Sequence, residues 1–196
     1  SSVKIASKNK YNLVIIDSFS SRSIKVKYQI APKINFIGMF GYFNGPEVNR
    51  VLFSFHQMNN LLGYIYSESE INKKAKSLMT ISSDDKRFIE LLKLPKNFIA
   101  IVIGGEWEYR SYDNWSMVIK KLLLLDNSLQ LILLGSGNAK EAEKEILKNT
   151  PSPNLLSYVA KLTFNQTAQI INKAEILFCS DGGLMHAANS FNTINI

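Results

Sequence analysis

The chain has 196 residues, 46% of them hydrophobic and 20% charged; this is ordinary globular chemistry with enough apolar side chain for a core, and room for one large domain or two small ones. No apolar run approaches the roughly 20 residues of a membrane-spanning helix, the opening Ser1-Ser2-Val3-Lys4 lacks the apolar segment of a signal peptide, and a lone Cys179 excludes an internal disulfide framework and suits a reducing cytoplasm. The net charge of +7 resides wholly in residues 1–94, which hold 14 Lys/Arg against 7 Asp/Glu, while residues 95–196 hold 9 of each; a basic half either steers toward an anionic partner or merely keeps the surface solvated.

The first half is irregular. Residues 12–17 have strand character, residues 34–37 form a second candidate strand, and residues 48–62 have helical spacing. Residues 64–83 are polar and read as a connecting stretch. Residues 84–94 form a helix that stops at Pro95, a natural domain boundary. The chain is therefore divided into domains 1–94 and 95–196, the first with too few strands for an independent sheet. There is no initiator Met, and the chain reads as processed, trimmed or a fragment.

The second half alternates strand and helix. Residues 98–103 are a β-rich run ending in Gly104-Gly105. Asp113 is placed to cap the next helix, whose apolar positions are Trp115, Val118, Ile119, Leu122 and Leu123. Residues 129–134 form a strand ending in Gly135-Ser136-Gly137, and 139–148 a charged helix stopped by Pro151 and Pro153. Residues 155–159 are a weaker strand, 164–172 a helix and 175–179 a strand broken at Gly182-Gly183. A helix follows over 184–189 and a last strand over 193–196. Continuous apolar strands between helices imply an α/β domain with a parallel sheet covered on both faces. Ligands bind such sheets at the carboxyl ends of the strands. Each glycine-rich break follows a strand, so the three should share one edge.

The chemistry centres on Ser180-Asp181-Gly182-Gly183-Leu184-Met185-His186. Two glycines admit close backbone approach, and a helix start offers free N–H groups to a phosphate. Asp181 either caps that helix or orients a sugar hydroxyl, since an ionised carboxylate repels phosphate. His186 either points back to the phosphate site or packs. Arg110 is either a diphosphate clamp or a solvated loop residue. Gly135-Ser136-Gly137 with Glu141 is a weak nucleotide signal, because Glu141 and Glu143 also complement a helix dipole. Trp107 and Trp115 read as packing residues, with Trp107 able to stack on a base or sugar. His56, in an aromatic stretch with Phe53 and Phe55, reads as a packed or capping residue, and Cys179 as inert core. Phosphate-loop, early dinucleotide-fold, zinc and nucleophile-elbow patterns are absent. So is any Asp-x-Asp pair, and a bound nucleotide would have to be neutralised by protein donors.

Residues 98–196 resemble the C-terminal domain of glycosyltransferase family 9, the ADP-heptose:lipopolysaccharide heptosyltransferases. Leu162-Thr163-Phe164-Asn165-Gln166 is similar to the family's lead into a helix, and Ile170-Ile171-Asn172-Lys173-Ala174-Glu175 to that helix's end. Ser180 to Ala188 resembles its Asp-(Ser/Thr)-Gly-Leu-x-His-x-Ala signature, with Gly182 in place of the hydroxyl residue. Tyr11-Asn12-Leu13-Val14-Ile15-Ile16-Asp17 resembles an N-terminal strand of the family.

The resemblance implies a GT-B-like α/β fold of two Rossmann-like domains with parallel sheets, the first incomplete. It implies an inverting transferase moving a sugar, expected to be heptose from ADP-heptose, to a lipopolysaccharide core or related anionic glycan. No metal or other cofactor is implied. Donor contacts fall on Asp181, Gly182, Gly183, Leu184 and His186, on Gly104, Gly105 and Arg110, and on Gly135 and Glu141. The family's opening strand, which carries its proposed base, has no counterpart, nor have its final helices; Asp17 is a poor substitute, and the catalytic base is unknown. A cytoplasmic location with peripheral contact to the inner membrane follows from the same resemblance. A non-catalytic nucleotide-sugar-binding module, or an inactive fragment of such an enzyme, remains the alternative. Nucleic-acid binding has only the basic charge in its favour.

Overall fold

The structure is a computed structural model that describes residues 2–16, 20–34, 36–38, 50–105, 111–191 and 193–196. Compact packing divides the chain into residues Ser1–Lys76 and Ser77–Ile196.

The N-terminal unit contains α1 (Ser2–Ala6), β1 (Val14–Ile16), α2 (Ser21–Ile30), β2 (Phe36–Gly38), α3 (Arg50–Leu61) and α4 (Glu68–Lys74). β1 and β2 pair in parallel, Val14 opposite Phe36. Two of its helices are set by caps. The Ser20 hydroxyl accepts from the Ser23 N–H at 3.1 Å to start α2. Ser67 and Glu70 form a reciprocal capping box at the start of α4, which satisfies N–H groups that a helix end otherwise leaves open. Residues 64–83 are thus not merely a connecting stretch, since α4 lies within them.

The C-terminal unit contains α5 (Ser83–Leu91), β3 (Ile99–Val102), α6 (Trp115–Leu125), β4 (Leu131–Leu134), a 3-10 turn (Gly137–Ala139), α7 (Lys140–Asn149), β5 (Leu155–Ser157), α8 (Phe164–Lys173), β6 (Ile176–Phe178), α9 (Gly183–Phe191) and β7 (Ile194–Asn195). The strands make one sheet in the order β5-β4-β3-β6-β7. Each adjacent pair is parallel, as the alternating pattern implies.

Side chains alternate across the sheet. Ile99, Ile101, Leu131 and Leu133 pack with Trp115 and Ile119 of α6 and Ile146 of α7. Ala100, Ile132, Leu134 and Leu177 pack with Ile89 of α5, Ile170 and Ile171 of α8 and Ala188 of α9. Burial on both faces explains why these strands read as unbroken apolar runs. At the start of α8, Gln166 N–H donates to Thr163 Oγ1 at 3.3 Å and Thr163 N–H to Gln166 Oε1 at 3.1 Å. Such a cap contributes about 1 kcal/mol.

Two further sequence expectations need correction. Pro95 ends a helix but not a domain: Ile89, Leu92 and Leu94 belong to the same core as Ile170, so the polypeptide from Ser77 onward joins the C-terminal unit. Asp113 is not the cap of α6; that position is Asn114, with no side-chain capping bond.

Leu133 is fully buried and Leu125 is 84% exposed. Leu133→Ala should lower the unfolding free energy of this unit by about 2–5 kcal/mol, and Leu125→Ala by less than about 0.5 kcal/mol. Urea denaturation of the two variants measures the contrast.

Candidate functional site

The carboxyl ends of β3, β4 and β6 open into one cleft of about 540 Å³. Its walls include Gly104 and Gly105 after β3, Gly135 after β4, and Asp181, Gly182, Gly183 and Leu184 after β6. The three glycine-rich breaks, distant in sequence, share one edge as expected. β3 leads into α6 on one face of the sheet, while β6 leads into α9 on the other. The cleft therefore lies where the connections diverge, the place where open α/β sheets hold ligands.

Backbone packing sets the shape. Gly104 has φ +82° and a Cβ there would stand 2.9 Å from Ala139 Cβ. A Cβ on Gly135 would meet the Ile103 carbonyl oxygen at 2.6 Å and Ala139 Cβ at 2.8 Å. Ala139 is fully buried; it wedges the 3-10 turn against both glycine turns. Above the wedge, Asn138 donates its side-chain N–H to the Gly105 carbonyl oxygen. Its own side-chain carbonyl accepts from Ser136 Oγ at 2.6 Å.

At the other wall α9 begins at Gly183. The Gly182 carbonyl accepts the first helical bond from the His186 N–H at 3.3 Å, so Gly182 holds the N-cap position and Asp181 precedes it. The first N–H groups of a helix have no partner within the helix, and its dipole favours an anion there. A Cβ on Gly183 would come 3.3 Å from the Phe164 ring, which lines the same cleft. Burial first, and the charge of Asp181 second, push the half-buried Cys179 thiol above its ordinary range; both disfavour the reactive thiolate.

The other candidates separate. Glu141 lies in a neighbouring cleft of about 570 Å³ with Tyr112 and Trp115, which shares Gly104 and Asn138 with the first. His186 is exposed and is not among the residues lining either cleft. Arg110, Trp107 and Asp17 lie outside the described residues. Trp115 is a packing residue as expected, buried and edge-on to Tyr112 with centroids 5.2 Å apart. His56 is exposed, and its Nε2 pairs with Asn60 Nδ2 at 2.9 Å. Sequence reasoning missed Asn138 and Phe164 as lining residues. The only local signals for them are an amide in a glycine turn and an exposed aromatic opening a helix. Among the described residues, no cluster of three or more His, Cys, Asp or Glu is arranged to hold a metal ion, and no helix is long and apolar enough to cross a membrane. In the N-terminal unit a separate cavity of about 620 Å³ combines Val14, Ile16, Val26 and Met58 with Arg22 and Lys27.

Gly135→Ala and Gly104→Ala should each lower stability by about 1–3 kcal/mol through overpacking. Gly137, two residues away, has nothing within 4 Å of a Cβ position, and Gly137→Ala should raise stability by about 0.4–1 kcal/mol. Denaturant titration reads the opposite signs.

The model of glycosyltransferase family 9 (heptosyltransferase) matches residues 43–196. No curated protein sequence gives a significant match. Among solved structures, E. coli ADP-heptose lps heptosyltransferase II is similar over 98% of this chain and 64% of its own, with 16% identity and a TM-score of 0.67. The glycosyl transferase family 9 structure from Veillonella parvula DSM 2008 is similar over 98% and 58%, with 14% identity and a TM-score of 0.69. E. coli heptosyltransferase WaaC with ADP-2-deoxy-2-fluoro heptose matches over 98% and 62%, at 14% identity and a TM-score of 0.60. The chain thus spans less than two thirds of the length of each of these three structures. At such identities the likeness establishes the fold, a GT-B-like α/β arrangement with parallel sheets.

Proposed function

This chain belongs to glycosyltransferase family 9, and from that premise we propose that the cleft at the carboxyl edge of its five-stranded sheet binds the nucleoside diphosphate of a sugar donor, ADP-heptose. The observation that carries this reading is the convergence of three glycine turns and the start of α9 on one cleft. Its volume suits a small organic ligand. Glycine turns let backbone N–H groups come within reach of phosphate oxygens, and the α9 N-terminus adds a favourable dipole. Asp181, beside those donors, is suited to a sugar hydroxyl. Gly104 and Gly105 face the diphosphate from the opposite wall, Leu184 packs beside it, and Arg110 adds a cation. Glu141, across the shared wall of the neighbouring cleft, takes a ribose hydroxyl. The similarity to a heptosyltransferase with an ADP-heptose analogue supports the choice of donor.

In the reaction an acceptor hydroxyl attacks the anomeric carbon as the bond to ADP breaks, and the configuration inverts. Negative charge grows on the leaving diphosphate. Preorganised N–H donors stabilise that charge without a metal. A general base must take the acceptor proton, and no residue of this chain is assigned to that role. The acceptor is an anionic lipopolysaccharide core or related glycan, met at the cytoplasmic side of the inner membrane. The basic N-terminal unit favours its approach.

Differential scanning fluorimetry tests the donor site. ADP and ADP-heptose should raise the melting temperature, with about 2.7 kcal/mol of stabilisation at 100-fold excess over Kd. Asp181→Ala should cut the shift by ADP-heptose back to that given by ADP. No shift with either ligand would contradict the reading. Incubation with ADP-heptose and a lipopolysaccharide core then separates transfer from binding alone.

Gly182 offers a second test. A Cβ there meets only the Ser180 carbonyl oxygen, at 3.9 Å, so Gly182→Ser fits. It should gain a few tenths of a kcal/mol as an N-cap and tighten ADP binding through the added hydroxyl; isothermal titration calorimetry reads the second effect.

A further inference from the structure

We propose that Asn138 is a donor-positioning residue: it holds the turn after β3 in place and turns the remaining N–H of its side-chain amide to an oxygen of the bound diphosphate. This rests on the donor-site reading above.

Asn138 lies in the 3-10 turn between β4 and α7. It is exposed and lines both clefts of the carboxyl edge. Its amide N–H reaches the Gly105 carbonyl, 33 residues earlier in the chain. The Ser136 hydroxyl, 2.6 Å from Asn138 Oδ1, fixes which end of the amide faces which way. A primary amide carries two N–H donors and one carbonyl acceptor. Gly105 takes one donor and Ser136 uses the acceptor. The second N–H remains for the cleft.

The electrostatic reason for an amide here is specific. A backbone carbonyl at the wall of an anion site turns the negative end of its dipole toward the ligand. Gly105 lines such a wall, and its carbonyl is the one that accepts from Asn138. Paired with the Asn138 N–H, its lone pair is engaged and its repulsion of an oxyanion reduced, while the same nitrogen presents a donor. Beneath it the turns are closely packed, because Ala139 fills the space that Cβ atoms on Gly104 and Gly135 would need. Preorganisation of this kind gives donors their full effect, since nothing must reorient when charge arrives.

The test is the ADP affinity of wild type, Asn138→Ala and Asn138→Asp by isothermal titration calorimetry at about 0.05 M and about 0.5 M salt, between which screening becomes strong. Asp is nearly isosteric and retains the acceptor for Ser136, but it replaces both N–H groups with lone pairs and adds a negative charge. ADP affinity should fall about tenfold in Asn138→Ala and about a hundredfold in Asn138→Asp at low salt, and the gap between the variants should narrow at high salt. Ser136→Ala, which leaves Asn138 present but unanchored, should lose about threefold. An Asn138→Asp variant that binds ADP no more weakly than Asn138→Ala at low salt, with no salt-dependent gap, overturns the proposal. So do variants that bind ADP as tightly as wild type. Wild-type protein that does not bind ADP overturns the donor-site reading, and this inference with it.

Discussion

Ala139 sits fully buried at the point where the turns after β3 and β4 approach each other. It can do so only because Gly104 and Gly135 carry no side chains there; a Cβ on either would come within 3.0 Å of Ala139. That close approach brings the 3-10 turn down onto the sheet edge, and the turn in turn carries Asn138 to Gly105 and delivers α7 to its place over Leu133 and Leu155. The opposite wall is built on a similar economy, with Gly183 leaving space for the Phe164 ring. The cleft is therefore a consequence of missing atoms at a few positions, framed by strands whose two buried faces keep those positions fixed.

Charge distribution sharpens what such a cleft must accomplish. Divided after Lys76, the N-terminal unit holds 11 Lys/Arg against 4 Asp/Glu, and the C-terminal unit 12 of each. The unit with the cleft has no net field to attract an anion. On the donor-site proposal, a diphosphate there would be held by local groups: the N–H groups that open α9, the glycine backbone, the Asn138 amide and Arg110. The excess positive charge lies in the other unit, and the proposal assigns it to long-range approach of an anionic acceptor.

Much of this was legible in the sequence. β3, β4 and β6 were readable because burial on both faces demands continuous apolar runs, and their glycine breaks because a turn at a strand end needs small residues. The family signature at Ser180 to Ala188 rests on the same turn. Harder were features whose cause is non-local or brief. α2 and α4 depend on single serine caps, Ser20 and Ser67, that are easily passed over in polar sequence. Pro95 misled because it ends a helix while Leu92 and Leu94 continue into the core beyond it. Asn138 gained its role from Gly105, far away in the chain. His186 lies in the first turn of α9, exposed and outside the residues that line the cleft.

The central claim is that a nucleoside diphosphate occupies the carboxyl edge of the five-stranded sheet. Backbone amide chemical-shift mapping by NMR during ADP titration tests it most directly. The account predicts saturable shifts concentrated at Gly104, Gly105, Gly135 to Asn138 and Gly182 to Leu184, with little change at Lys93, Lys96 and Lys173, which line a separate hollow. Saturable shifts centred on that hollow, or none at the glycine turns, would contradict it.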